Sequence, residues 1–227
     1  MKSWRGYTLL DLFLIGFGII AVTASSIIFN SSWYILINTL LGLFYVFTQA
    51  KGKVATQFLG LIYFCFYIFI SYKQKLYGEA LLYLLIMIPM YIYGVFHWLS
   101  NKDKKDSVVI IRNNLSKNEW IIFSICLLFV SVGIFYVLKI LNTAYLIMST
   151  ISFISIIPAV YLLIRRCKWN HVGFLINDLI VPFLWLFLVL EGDYTFITMT
   201  IYFPFQIIYD IYGLSQWIKL QEKQKTC

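Results

Sequence analysis

Asp178 is the residue with the strongest chemical implication, because it falls near the middle of an apolar stretch, 171–190. A carboxylate at the centre of a bilayer costs at least about 2.5–3.5 kcal/mol on insertion scales, so it must face the bundle interior or a water-filled cavity. Phe174 lies four residues earlier, which puts an aromatic face and a hydrogen-bond acceptor on one helical stripe. Asn177 adds an amide beside them, and Trp185, three residues after Pro182, can line the same space. A ring face, an amide and a carboxylate together suit a flat, nucleoside-like solute with a polar sugar. The competing reading is a tether between helices.

A second polar group falls in 195–218, where Gln206 and Asp210 share a face at four-residue spacing, with Tyr209 beside them and Pro204 nearby. Gln206 can read a base or sugar edge. Asp210 reads as structural, paired with a lysine or arginine. Gln57, Tyr67 and Asn38 are the expected counterparts from the first half of the chain, although ordinary interhelical hydrogen bonds would explain them too. His171 and His97 read as residues at headgroup level, Glu79 as an acid favoured at a helix N-terminus, and Trp98 and Trp217 as interfacial anchors.

The elements that position these groups must be membrane helices. Of 227 residues, 61% are hydrophobic and 12% charged, about half the usual charged share, and mean hydropathy is +0.83. Eight apolar stretches fit spans of roughly 17–25 residues: 8–29, 33–49, 54–72, 78–99, 119–141, 143–164, 171–190 and 195–218. Fifteen of the 18 Lys and Arg then fall on the side of the N-terminus, leaving Lys73, Lys75 and Lys139 opposite. The positive-inside rule puts both termini and the polar loop 100–118 in the cytoplasm. The net charge of +8 lies between apolar runs rather than along one face, which argues against nucleic acid.

The string Ile92-Tyr93-Gly94-x-x-x-Trp98 returns as Ile211-Tyr212-Gly213-x-x-x-Trp217, each time downstream of a basic cluster. Two like-oriented three-helix repeats joined by one helix follow from this, a 3+1+3 all-α polytopic membrane protein with one added N-terminal helix. The expected divisions are 1–32, 33–99, 100–142, 143–220 and 221–227. All four prolines (Pro89, Pro158, Pro182, Pro204) fall inside spans, where each can hinge or merely kink a helix. Four cysteines show no metal or disulfide pattern and read as small core residues. No HExxH, Walker loop, Ser/His/Asp set or paired cavity carboxylates are apparent, so neither an enzyme nor a cofactor is expected.

The strings Gly42-Leu43-Phe44-Tyr45-Val46, Ala50-Lys51-Gly52-Lys53, Gly60-Leu61-Ile62-Tyr63 and Lys75-Leu76-Tyr77-Gly78-Glu79, with Arg165-Arg166 and the final Y-G-x-x-x-W, resemble the PnuC-type transporters of nicotinamide riboside and related vitamins. The resemblance covers about 33–220. It implies a site between the repeats, facilitated diffusion without an ion gradient, and trapping by a cytosolic kinase in a bacterial inner membrane. Members selecting nicotinamide riboside carry W-x-x-W-x-x-x-N/D after the paired arginines. Here that register reads His171-x-x-Phe174-x-x-x-Asp178, which keeps the carboxylate and loses both tryptophans. The family also takes thiamine, riboflavin and deoxynucleosides. The expected partners are the bilayer and a small nucleoside-like solute, with self-association left open. A membrane receptor or subunit without transport activity is the reading from another class, weakened by the absence of any segment large enough for a signalling domain.

Overall fold

The computed structural model describes residues 8–102, 108–111 and 115–225. Ten α-helices follow one another: α1 (Leu9–Ile28), α2 (Trp33–Ala50), α3 (Ala55–Lys73), α4 (Tyr77–Leu82), α5 (Ile88–Ser100), α6 (Lys117–Ile140), α7 (Leu146–Ile164), α8 (Asn170–Asp178), α9 (Val181–Leu190) and α10 (Ile197–Lys225). Among the described residues there are two isolated antiparallel bridges and no strand. Seven helices or helix pairs are long and apolar enough to cross a membrane: α1, α2, α3, α4–α5, α6, α7 and α8–α9. The chain is therefore an all-α polytopic membrane protein.

The expected eighth span, 195–218, falls in α10, which is long enough but too polar to stand among those seven. Gln206, Tyr209 and Asp210 lower its apolarity, and all three are buried against α2, α8 and α9 rather than turned outward. A helix enclosed by others can carry such groups, because the protein and not lipid solvates them.

Each tight turn reverses through a residue in the left-handed region, Asn30, Gly52, Lys75, Asn142, Arg166 or Gly192, and the Asn142 turn adds a second at Tyr145. Two prolines interrupt their spans. A π-turn, Tyr83–Met87, sits just ahead of Pro89, and the α8–α9 pair breaks at Leu179–Ile180 ahead of Pro182. A proline leaves the carbonyl one turn upstream without its donor, and these irregular turns absorb the defect. Pro158 and Pro204 lie inside unbroken helices.

Packing joins the two halves reciprocally. The triplet α2, α3, α4–α5 meets the triplet α7, α8–α9, α10 where α2 lies on α10 and where α7 lies on α4 and α5. The first helix of each triplet thus contacts the last of the other. α1 packs on α2 and α10, and α6 on α7. The loop expected as a plain polar linker folds back instead. Val109 and Ile111 are buried, Val109 N donates to Gly52 O (2.9 Å), and the Gln224 amide bonds both Val109 and Ile111. Cys65 and Cys126 face outward, so only Cys167 has the core role expected of it; Cys227 lies outside the described residues.

Candidate functional site

At the centre, α2, α3, the π-turn between α4 and α5, α7, α8, α9 and α10 enclose a cavity. Its lining includes Tyr45, Tyr63, Phe64, Tyr67, Tyr83, Phe174, Asn177, Asp178, Val181 and Gln206. The aromatic side is continuous: Tyr45 stacks on Tyr63 (5.6 Å, 6° between planes), Phe64 meets Tyr83 (5.0 Å), and Tyr67 meets Tyr83 (4.4 Å). The opposite side is polar. Asn177 Nδ2 donates to Ser155 Oγ (2.9 Å) and Ser152 O (3.2 Å), which fixes the amide, and Gln206 Oε1 has no partner. Asp178 faces Asp210, so two carboxyl groups share this region, contrary to the expectation that none would be paired.

Five expected site residues line this cavity together: Tyr67, Phe174, Asn177, Asp178 and Gln206. Trp185 stands behind Tyr67, donating Nε1–H to its hydroxyl (3.2 Å), and Tyr67 in turn donates to Glu79 Oε2 (3.3 Å). Tyr209 is buried against Phe47 (6.0 Å), Asn38 Nδ2 points to Met199 Sδ (3.8 Å), and Gln57 lies against Gly94, so these three sit outside the lining.

Glu79 is in the first turn of α4, as expected, and is fully buried behind Tyr67. Three interfacial readings are overturned. His171 is buried, with Nδ1 3.2 Å from Asp210 Oδ1, so Asp210 takes an imidazole and not a lysine or arginine as partner. Trp98 and Trp217 are fully buried and lie against each other, ring centroids 6.0 Å apart. In each case a polar or amphipathic group expected at the membrane surface finds its partner inside.

The lining residues that sequence reasoning missed include three tyrosines, Tyr45, Tyr63 and Tyr83. A register between the triplets locates Tyr63 among them. The two motif glycines are filled alike: a Cβ at Gly94 would collide with the Gln57 amide, and one at Gly213 with the His171 ring. Counting six, seven and ten residues on from Gln57 gives Tyr63, Phe64 and Tyr67. The same count from His171 gives Asn177, Asp178 and Val181. All six line the cavity.

The cavity is about 20 Å³, room for about one water. A nucleoside enters only if the lining moves. The two irregular turns are placed for that, since Tyr83 and Met87 bound the π-turn and Asp178 and Val181 flank the α8–α9 break.

Fold and lining together describe a membrane carrier with an enclosed central site. The sequence profile of the nicotinamide mononucleotide transporter family matches residues 32–219, and the chain belongs to that family. It is 23% identical over 209 residues to the nicotinamide riboside transporter PnuC of Neisseria mucosa (90% of this chain, 79% of the relative). It is 26% identical over 121 residues to the protein of the same name from Haemophilus influenzae (53% and 52%). The crystal structure of the vitamin B3 transporter PnuC superposes with a TM-score of 0.85 at 20% identity, covering 97% of this chain and 95% of that one, which establishes a shared fold. The relatives are transporters, not enzymes.

Proposed function

We propose that this chain carries nicotinamide riboside, or a closely related nucleoside-like vitamin, across a bacterial inner membrane by facilitated diffusion, with a cytosolic kinase trapping the product. The observation that carries this reading is the pairing of Asp178 with a wall of tyrosine and phenylalanine rings across one cavity. Nicotinamide riboside joins a cationic planar ring to a ribose. Aromatic faces attract a cation, by about 2 kcal/mol or more where water is excluded. Asp178 and Gln206 supply acceptors for ribose hydroxyls, and among the described residues no lysine or arginine forms an ion pair with Asp178 or Asp210. The relatives named for nicotinamide riboside support the assignment.

The organisation that goes with this is a pair of like-oriented triplets, 33–99 and 143–220, linked through 100–142, with both termini cytoplasmic. The test is a liposome assay with labelled nicotinamide riboside. Saturable equilibration without ATP or an ion gradient is expected. Accumulation that strictly requires a proton gradient would refute facilitated diffusion. Binding of thiamine, riboflavin or deoxynucleosides in preference to nicotinamide riboside would reassign the solute. Binding with no flux would favour a receptor.

A further inference from the structure

Beyond Asp178, across Asp210 and its partner His171, lies a layer that includes the two motif tryptophans and takes no part in the cavity lining. Gln57, Trp98, His171 and Trp217 are all 1% exposed or less. The layer is built twice over. Gln57 fills the space above Gly94 and His171 the space above Gly213, while Trp98 and Trp217 meet at 6.0 Å and His171 stands edge-on to Trp217 at 5.4 Å. Four of its polar atoms have no hydrogen-bond partner: Gln57 Oε1 and Nε2, Trp98 Nε1 and His171 Nε2. A buried donor or acceptor without a partner is costly, and native proteins keep few of them. Simple packing would be served better by leucine at position 57 and phenylalanine at 98.

We propose that this layer is a second solute station, the exit passage of the carrier, held shut in this structure by the Trp98–Trp217 pair. The inference rests on the carrier reading above. When the tryptophans part, Gln57, Trp98 and His171 offer donors and an acceptor to the hydroxyl and amide groups of a nucleoside leaving the central cavity. Their unmet hydrogen bonds raise the energy of the closed layer and are met when solute passes. The two tryptophans are not equivalent. Trp217 Nε1 donates to Gln49 O of α2 (2.9 Å), which fixes that ring across the two triplets. Trp98 Nε1 is free, so Trp98 is the ring that moves.

Gln57→Leu keeps the side-chain volume and removes two of the four atoms. Purified variant and wild type are compared for thermal unfolding, equilibrium binding of nicotinamide riboside, and initial rate of its equilibration into liposomes. The expected result is a higher unfolding temperature, unchanged affinity at the central site, and a rate about threefold to tenfold lower, the effect of losing one hydrogen bond at a barrier. Trp98→Phe, which keeps a ring and removes Nε1–H, should likewise raise the unfolding temperature and lower the rate with affinity unchanged. Wild-type rates in both variants would overturn the proposal. So would a lower unfolding temperature with affinity and rate falling together, since that is what a purely structural role gives. If the wild type itself neither binds nor equilibrates nicotinamide riboside, the carrier reading fails, and the exit station with it.

Discussion

The two halves of the chain are alike in plan and opposite in what they bring to the cavity. Each begins with a capped helix carrying an acid in its first turn: Thr8 with Asp11 on α1, Ser116 with Glu119 on α6. Each acid pairs with a base at the first turn of the following triplet, Asp11 with Lys51 and Glu119 with Arg165. Yet at matching register the first half presents Tyr63, Phe64 and Tyr67, and the second Asn177, Asp178 and Val181. At these positions one half supplies ring faces and the other hydrogen-bonding groups, while Phe174 and Phe203 add two rings from the second half elsewhere in the lining. A repeat held to strict symmetry would read both ends of a solute identically. Divergence lets one half take a planar ring and the other a sugar.

The largest effect should come from the buried ion pair of the first half. Lys51 Nζ lies 2.7 Å from Asp11 Oδ2, with side chains 11% and 0% exposed, and Tyr212 of the second half donates to Asp11 Oδ1 (2.7 Å). Removing one partner leaves a buried charge unpaired, at a cost of about 3–5 kcal/mol. Lys51→Ala should therefore lower stability in detergent by that order, measured by chemical or thermal unfolding. A Lys51→Ala, Asp11→Ala double variant should recover part of the loss. If the double variant is no better than the single, the pair is not what holds α1 to α2 and α10.

Next in size is Asp178→Ala. Hydrogen bonds to a charged group contribute about 1.5–3 kcal/mol, so binding of nicotinamide riboside should weaken roughly 10- to 100-fold. Free nicotinamide, which lacks the sugar, should bind the variant and the wild type equally. Tyr63→Leu addresses the other half. Ring stacking is worth about 1–3 kcal/mol by truncation, so affinity should fall for nicotinamide and its riboside alike. Equal losses for both solutes in Asp178→Ala would break the division between a ring half and a sugar half.

Much of this was legible in the chain. The seven apolar spans, the short turns and the carboxylate at Asp178 follow from composition and the cost of charge in lipid, and Phe174 joins Asp178 in the cavity because four residues make one helical turn. What was not legible depended on which side of a helix faces another helix. Trp98, Trp217 and His171 are of types common at membrane interfaces, and a single helix does not say that a second copy of the same motif will cover them. Tyr45, Tyr63 and Tyr83 were hidden for a related reason, because tyrosine is common throughout this sequence and its composition does not separate lining from packing. The span 195–218 was legible despite the polarity of α10, which becomes reasonable once α2, α8 and α9 enclose it.

The smallest effect should be the counterpart of the largest. Arg165 Nη2 approaches Glu119 Oε1 at 2.5 Å, but these side chains are 28% and 23% exposed, against 11% and 0% for Lys51 and Asp11. Exposed ion pairs contribute about 0–1 kcal/mol, because water and salt screen them and holding two long side chains costs entropy. Tyr161 also donates to Glu119 Oε1 (2.7 Å), so the acid keeps a partner when the arginine is lost. Arg165→Ala should thus shift stability by less than about 1 kcal/mol, an effect that shrinks further in high salt. Lys51→Ala should respond little to salt. A large, salt-independent loss from Arg165→Ala would mean that α6 is clamped to its triplet as firmly as α1, and that the two halves differ at the cavity alone.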